Sequence, residues 1–398
     1  MLLEPSGCPL FSLNFIAKND THWWSWWSWW GRPFSGTVGC QYRNLKNKDG
    51  HLIVAINAKR ELQEKFLEEL RFADYQLMKH ENNLPESLRQ DLILKTQTKK
   101  IISQHLQHLQ TCLKCSNPRN ITIIDLSLWP LTEQTVGELS ENTSWTNLTT
   151  LKLRNTGLEG KGVEALSKNK SWTCLREIDL ESNSITKLGA ATLVACKSWP
   201  NLMILKLGNN KIGDQGVIAL SGDFLWTNLR ELFLESNEIS EISDEGAAAL
   251  DTNTSWIRLE TLSLGLNMVG DRGVVALSDN SSWINLRKLN LEKNEIDDNG
   301  IIALGKNTSW KRLKEPNLRY NRFGNKGVEG LCRNSSWTDL TILKLQSSNI
   351  TSEGIILLSK NTSWKNLEEL SLLWNNLHQE EVLSCIKERW RGIQFSRC

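Results

Sequence analysis

The sequence predicts an α/β solenoid, an array of short strand-and-helix units stacked side by side, preceded by a small helical N-terminal region. One observation is a tryptophan that returns every 27 residues, with a single step of 30. A second is that the apolar residues between these tryptophans keep the same spacing in every unit. Repeats of this length cannot bury their apolar side alone and are stabilised by their neighbours. The repeated tryptophans are Trp145, Trp172, Trp199, Trp226, Trp256, Trp283, Trp310, Trp337 and Trp364.

Each unit has a strand-like half followed by a helix-like half. Counted from its tryptophan, a unit carries leucine or a related residue at +3, +6 and +8, asparagine at +11 and an apolar residue at +13. The alternation over +6 and +8 predicts a strand. Glycine at +17 is expected to form the turn into a short helix, whose apolar residues follow at +18 and +21. Ten units begin at residues 118, 145, 172, 199, 226, 256, 283, 310, 337 and 364, which places the array at 118–398 with the last unit as a cap.

The pattern L-x-x-L-x-L-x-x-N-x-I resembles the leucine-rich repeat, and the glycine with the helical second half resembles the ribonuclease-inhibitor-like subclass. That subclass also occurs in Ran GTPase-activating proteins and NOD-like receptors. The resemblance implies a horseshoe with a concave parallel sheet and convex helices. The Asn-Thr-Ser-Trp segments also resemble repeat proteins of amoeba-associated microbes, which implies an effector role on host proteins.

The same resemblance implies an asparagine ladder at +11, in which side-chain amides satisfy backbone groups of the turns. The asparagines at this position are Asn183, Asn210, Asn237, Asn267, Asn294, Asn321 and Asn375. Thr156, Ser348 and Trp129 stand at the same place and are expected to weaken the ladder locally, because an unpaired buried backbone group costs roughly 1–3 kcal/mol.

The tryptophan column has two interpretations. It could line a binding surface, or it could form a buried spine in the loops before the strands. Its regular recurrence favours the spine. The asparagines three residues earlier lie in N-x-S or N-x-T sequons, and we interpret them as turn residues that bond their own backbone rather than as glycan acceptors. They are Asn142, Asn169, Asn253, Asn280, Asn307, Asn334 and Asn361.

Two units depart from the repeat. The unit at Trp226 has three extra residues around 240–242, which we expect to form a loop on one face. The unit at Trp310 has Pro316 at the +6 core position, where proline removes a hydrogen bond of the sheet. We therefore expect a local defect in the sheet at Pro316.

The N-terminal part divides into two predicted regions. Residues 1–55 form a low-complexity, poorly ordered region, and its segment 23–30 holds six of the 18 tryptophans. That segment is either a packed or disordered tail or an anchor for a membrane surface or a partner. Residues 56–117 have helical spacing and form a helical domain or cap. Within them, His105, His108, Cys112 and Cys115 have metal-ligand residue types, but on one helix they would spread over about 15 Å, so we expect no metal site unless the chain turns near Cys112.

The composition is typical of a soluble folded protein, with 39% hydrophobic and 23% charged residues. A formal net charge of +2 gives no reason to expect nucleic acid or an anionic membrane as a partner. Nine irregularly spaced cysteines indicate free thiols in a reducing compartment. No apolar run could span a membrane and the N-terminal segment does not fit a secretory signal. We expect a cytoplasmic protein, exported into a host cell if its source is bacterial.

The candidate protein-binding surface lies on the exposed side of the sheet, to which the repeat assigns positions +5, +7, +9 and +10. Their varied side chains, with aromatic residues and charges of both signs, are typical of a protein-recognition surface, although a plain solvated face would have the same positions. The candidate residues are Lys152, Arg154, Asp179, Glu181, Lys206, Phe233, Glu235, Asn290, Glu292, Arg319, Tyr320, Lys344 and Trp374.

The sequence holds no catalytic motif, and we expect neither enzymatic activity nor a cofactor. The leading hypothesis is a protein-binding scaffold whose partner lies on the concave face. An alternative is a ubiquitin-ligase substrate receptor, since residues 84–88 (LPESL) before the repeats loosely resemble the start of an F-box and would bind an adaptor. A third hypothesis, regulation of a small GTPase or a ribonuclease, rests on analogy of fold.

Overall fold

A computed structural model describes residues 121–128, 130–195, 199–222, 226–237 and 242–377, with residue 389, residues 394–396 and four short N-terminal strands. The tryptophan segment 23–30, the predicted helices of 56–117 with their histidine and cysteine cluster, and the F-box-like segment lie outside the described residues. The proposed division at residues 55 and 117 therefore stays a prediction.

Ten strands and nine helices alternate along the described part of the array. The strands are β5 (Ile121–Asp125), β6 (Thr150–Lys152), β7 (Glu177–Asp179), β8 (Ile204–Lys206), β9 (Glu231–Phe233), β10 (Thr261–Ser263), β11 (Lys288–Asn290), β12 (Glu315–Asn317), β13 (Ile342–Lys344) and β14 (Glu369–Ser371). The helices are α1 (Glu133–Glu141), α2 (Glu159–Ser167), α3 (Lys187–Ala195), α4 (Gly213–Ser221), α5 (Asp244–Asp251), α6 (Asp271–Asp279), α7 (Asp298–Lys306), α8 (Asn325–Cys332) and α9 (Ser352–Ser359).

The strands form one sheet in chain order, and every pair from β5 to β14 is parallel. A further strand, β15 (Gln394–Ser396), continues it beside β14. At the other end it is extended by β4 (Leu52–Ile56), parallel to β5, and β3 (Tyr42–Lys46), antiparallel to β4. The strands β1 (Ser12–Leu13) and β2 (Val38–Gly39) pair separately. The predicted α/β solenoid with a parallel sheet is confirmed.

The register is constant from repeat to repeat. Leu232 pairs with Leu262, and Leu262 pairs with Leu289, although the first step is 30 residues and the second 27. The three extra residues of the longer unit therefore fall after its strand, outside the sheet. Both this placement and the start of the array before the first repeated tryptophan agree with the sequence, since Ile124 of β5 pairs with Leu151 of β6.

The tryptophan column is the buried spine of the array. All nine tryptophans are at most 1% exposed. The rings of Trp145 and Trp172 stack at 6.3 Å with 15° between their planes, and Trp283 and Trp310 stack in the same way. A tryptophan buries about 150–250 Å², which corresponds to about 4–6 kcal/mol of apolar burial per repeat. The alternative of a tryptophan-lined binding surface is wrong for these nine residues.

The asparagine ladder at +11 joins each repeat to the one before it. Asn183 Nδ2 donates to the carbonyl oxygens of Leu180 in its own turn (3.0 Å) and Leu153 in the preceding turn (2.7 Å). Its Oδ1 accepts from the backbone N–H of Thr156 (3.0 Å) and Leu158 (3.2 Å). One buried amide thus pairs four backbone groups that the turns leave without partners.

The asparagines before the tryptophans form a second connection between repeats. Asn334 Oδ1 accepts from the N–H groups of Ser336 and Trp337, which confirms the predicted turn within its own backbone. In addition, Asn334 Nδ2 donates to the carbonyl oxygens of Gly305 (3.1 Å) and Asn307 (2.7 Å) of the preceding repeat. Six of the seven asparagines are buried, with Asn334 only 2% exposed, so the folded chain does not present these six as glycan acceptors. Asn142 of the first unit is partly exposed.

The glycine at +17 has a different role from the one predicted. It does not form the turn into the helix but lies inside the first helical turn, as Gly300 does in α7. The Gly300 N–H donates to Asp271 Oδ1 of the preceding repeat at 2.9 Å, and Asp297 N–H donates to the same oxygen. A Cβ on Gly300 would lie 2.7 Å from that oxygen. Glycine is required because the aspartate of one repeat caps the helix of the next.

We predict that Gly300→Ala destabilises the fold by about 1–3 kcal/mol, because the new methyl group collides with Asp271 and with Ile296 Cγ2. The control is Gly137→Ala in α1, where a Cβ would meet nothing within 4 Å. There the substitution stabilises by about 0.5–1 kcal/mol, since it lowers the entropy of the unfolded chain. Urea denaturation followed by circular dichroism measures both. Equal effects at the two glycines would contradict the capping role.

Candidate functional site

The thirteen candidate residues stand either in the strands, at +7, or in the turns that directly follow them, at +9 and +10. In β8, Leu205 points into the core while Lys206 beside it is partly exposed. Most other strands repeat this alternation, whereas β7, β10 and β14 also bury the residue at +7. The partial exposure of most of these residues is compatible with the predicted surface, and protein binding there stays a prediction. Asp179 departs from the expectation, because it is only 7% exposed.

The residues at +10 share a left-handed backbone. Their φ angles run from 49° at Lys293 to 70° at Leu128. Asparagine and serine occupy five of these ten positions, as at Asn209 and Ser236, and short polar side chains tolerate this conformation. Tyr320 and Trp374 occupy it with φ of 58° and 57°. A bulky side chain at positive φ is an outlier, because it costs roughly 1–2 kcal/mol.

Tyr320 and Trp374 form an exposed aromatic pair. They come from repeats that are not adjacent, yet their ring centroids are 5.9 Å apart and their planes are tilted by 41°. Ser347 holds the corresponding position in the repeat between them. Its small side chain leaves space for the two rings to meet. Trp374 is 64% exposed, and the Arg319 guanidinium lies 5.8 Å from the Tyr320 ring centroid.

Ion pairs flank this aromatic pair and continue toward the N-terminal repeats. At +9, Arg319 pairs with Glu292 at 2.7 Å, and Arg154 pairs with Glu181 at 2.8 Å. At +7, Lys206 lies 3.3 Å from Glu177 and 5.9 Å from the centre of the Phe233 ring. The charges of both signs predicted from the sequence therefore neutralise one another to a large extent. Glu177 stands at +5, a position that the sequence assigned to this surface, although it is not among the thirteen candidates.

A depression of about 440 Å³ lies on the exposed face near the middle of the array. Gly208 creates space for it, because a Cβ there would lie 3.1 Å from the carboxyl carbon of Glu235. Glu235 Oε2 is buried and has no hydrogen-bond partner among the described residues. The lining residues are Arg154, Glu181, Gly208, Asn209, Asn210, Glu235 and Ser236.

Burial perturbs the carboxyl groups at and beside this depression. Burial raises the pKa of Glu235 above its ordinary range, and the Ser263 hydroxyl and the nearby cations oppose the rise only in part. The pKa of Glu181 is raised by burial and then by the Asp179 carboxylate. Burial also raises the pKa of Asp179, against the Glu181 N–H and Lys206. For each of these three carboxyl groups, the folded state is therefore less stable with the group ionised than with the group neutral.

The part of the chain that the structure describes has neither a metal-binding cluster nor a membrane-spanning helix. No group of three or more His, Cys, Asp and Glu side chains there could hold a metal ion. None of the helices there is long and apolar enough to cross a membrane. Of the cysteines in that part, Cys174 and Cys332 are free thiols. Burial raises the pKa of Cys332 to about 12, so its thiol stays protonated near neutral pH and is a poor nucleophile.

We predict that Glu235→Gln raises the urea midpoint at pH 7 and that the gain disappears as the pH falls to about 4. The raised folded-state pKa means that the native state binds this proton more tightly than the unfolded chain, so stability falls as pH rises through the folded pKa. Glutamine keeps the shape and removes the charge. Exposed Glu368→Gln is the control and should show no such pH-dependent gain. A Glu235→Gln protein that is less stable at pH 7 would contradict the assignment.

Comparison with known proteins identifies the repeats. Six segments match a family model described as "Leucine Rich repeat", at residues 146–167, 173–194, 200–221, 259–278, 284–305 and 338–359. The comparison with curated proteins gives no match. Among solved structures, the chain is similar to a leucine-rich-repeat protein of Leptospira interrogans, with 20% identity and a TM-score of 0.40 over 70% of this chain and 73% of that one.

It is also similar to an internalin of Listeria monocytogenes, with 17% identity and a TM-score of 0.35 over 70% of this chain and 87% of that one. Both TM-scores are low, so the assignment of the fold rests on the matched repeats and on the observed sheet and helices. Six of the repeats match the leucine-rich-repeat model, and with a constant register and a parallel sheet alternating with helices the described array has the fold of a leucine-rich-repeat solenoid.

Proposed function

We propose that this chain is a non-enzymatic scaffold that binds a protein partner on the exposed face of its sheet, the concave side of such a solenoid. The aromatic pair of Tyr320 and Trp374 carries the proposal. Two large rings stand in water on left-handed backbone, where the rest of the column mostly has small polar residues. Such strain is kept where it serves a function rather than stability.

The residues around the aromatic pair resemble the centre of a protein interface. Tyrosine, tryptophan and arginine are the residues that most often dominate binding energy. Arg319 lies over the ring of Tyr320, which in turn contacts the ring of Trp374. Trp374 at 64% exposure offers a large apolar area that a partner would desolvate. The aromatic pair is therefore the proposed anchor of the interface.

The ion pairs of the exposed face support a protein rather than a nucleic acid as the partner. A phosphate-binding surface needs cations that are free to neutralise phosphates. Here Arg154, Lys206 and Arg319 are paired with Glu181, Glu177 and Glu292. A mixed, internally neutralised surface is typical of the polar rim of a protein interface.

Several finer expectations belong to the same proposal. They are the ribonuclease-inhibitor-like subclass, a cytoplasmic location, and an effector role like that of the repeat proteins of amoeba-associated microbes. The ubiquitin-ligase and GTPase or ribonuclease hypotheses gain no support from the described residues. An F-box-like adaptor contact would involve residues 84–88, which lie outside them.

We predict that replacing Phe233, Tyr320 and Trp374 together by alanine abolishes capture of partner proteins by the full chain. The loss of two or three interface anchors costs roughly 2 kcal/mol each, a combined loss of at least a hundredfold in affinity. Affinity capture from extracts, quantified by mass spectrometry against the wild-type chain, measures it.

The matched control replaces three other exposed apolar residues by alanine: Leu188, Ile257 and Ile284, at 73%, 52% and 55% exposure. They lie in α3 and in the loops that follow two repeated tryptophans, away from the exposed face of the strands. This variant should capture the same partners as the wild type. If the aromatic variant still captures the same partners, the proposed binding face is wrong.

A further inference from the structure

From the repeat that begins at Trp199 onward, three sets of contacts connect one repeat to the next: strand pairing, the asparagine ladder at +11, and the acidic cap, first made by Asp214, that reaches the following helix. All three are weakened at one junction, between the repeat that begins at Trp310 and the repeat that begins at Trp337. We name this junction the seam.

The strand pairing at the seam is reduced by Pro316. Each pair of neighbouring strands from β5 to β12 is joined by three residue pairs in register. Strands β12 and β13 are joined by one residue pair, Asn317 with Lys344. Proline has no N–H to donate across the ladder. Bonds remain on both sides of the gap, from Ile342 N–H to the Lys314 carbonyl and from Leu318 N–H to the Lys344 carbonyl. The sequence-predicted sheet defect is confirmed here.

The asparagine ladder is interrupted at the same junction by Ser348. In the repeat before, Asn321 Oδ1 accepts from the N–H groups of Asn294 and Ile296, and its Nδ2 donates to the Leu291 carbonyl. Ser348 is too short for these contacts. Its hydroxyl is buried without a partner among the described residues, so the backbone of the turn after β12 gains no bond from it.

The helix cap across the seam is also altered. Asp298 accepts two backbone N–H bonds from the next repeat, at Gly324 (2.7 Å) and Gly327 (2.8 Å). At the seam the corresponding residue is Asn325, which accepts from Thr351 N–H at 3.0 Å and turns its amide to the Thr351 hydroxyl. A neutral amide in place of a carboxylate gives a weaker cap at a helix N-terminus.

At both neighbouring junctions the strand pairing and the asparagine ladder are intact. Strands β11 and β12 pair at three residues, as do β13 and β14. Beyond the seam the ladder resumes at Asn375, whose Oδ1 accepts from the N–H groups of Ser348 and Ile350. The weakness is therefore local and does not reflect a gradual loss of order toward the C-terminal end.

We propose that the array opens at the seam, so that the repeats of residues 337–377 separate as one unit while the preceding repeats stay folded. In a solenoid, stability is a sum of repeat and junction terms, so the weakest internal junction sets where a sub-global opening begins. The aromatic pair spans the seam, with Tyr320 on one side and Trp374 on the other. It fastens the two parts, and a partner seated on both rings would hold the seam closed, a second step that rests on the proposed function.

Hydrogen exchange of the full chain, resolved by mass spectrometry, tests the opening without a partner. The wild type should show a step in protection between residues 318 and 342, with the amides of 337–377 exchanging together. A repaired variant, Pro316→Leu with Asn325→Asp and Ser348→Asn, should slow their exchange about tenfold or more, since several backbone bonds return. Protection over residues 199–222 should not change. Trp374→Ala should speed exchange in 337–377.

Asn294→Ser is the matched control, because it cuts the ladder at an intact junction where Asn294 Nδ2 donates to the Leu264 carbonyl. It should create a second step near residue 270. The proposal is overturned if wild-type protection declines gradually with no step at the seam, or if the repaired variant exchanges like the wild type. Either result leaves the capture experiment free to succeed, so the two proposals fail separately.

Discussion

Buried side-chain amides that bridge neighbouring repeats are the interaction on which the rest of this structure depends. A stack of three-residue strands has too few ladder bonds to fix its own register. Each asparagine at +11 adds bonds to two successive turns, as Asn183 does to the carbonyls of Leu153 and Leu180. Because such a group is costly to bury unpaired, a slipped repeat loses more than one bond. Constant register then aligns the tryptophans in the core and the variable residues on the outer face.

The repeat itself made the fold and the position of the proposed binding face predictable from sequence. The side-chain contacts between repeats were harder to predict. The spacing of Trp256, Leu262 and Asn267 specifies inside and outside without knowledge of any partner atom. The cap from Asp271 to Gly300 was missed because its two residues lie 29 positions apart and in different repeats. The glycine was instead assigned to a turn, its commonest role. The meeting of Tyr320 with Trp374 was likewise hidden, since it depends on Ser347 being small.

Stability and recognition use the same frame but different positions in it. Two departures that weaken the frame, Pro316 and Ser348, lie in the same repeats as the aromatic pair or between them. The strained backbone at Tyr320 and Trp374 lies in the same region. Local departures from an otherwise regular pattern are expected where function, and not folding, selects the residue. The C-terminal repeats thus combine the most exposed rings with the weakest junction.

Tryptophans at the start of each repeat build the scaffold, whereas Trp374, which lies between them, is proposed to serve recognition. Comparison of Trp256→Ala with Trp374→Ala by urea denaturation and capture tests this division of roles most directly. Trp256 is fully buried and Trp374 is 64% exposed. The account predicts that the first substitution costs about 3–5 kcal/mol, whereas the second leaves the main unfolding transition unchanged and removes partner binding. A Trp374→Ala protein with full binding, or a Trp256→Ala protein with wild-type stability, would contradict it.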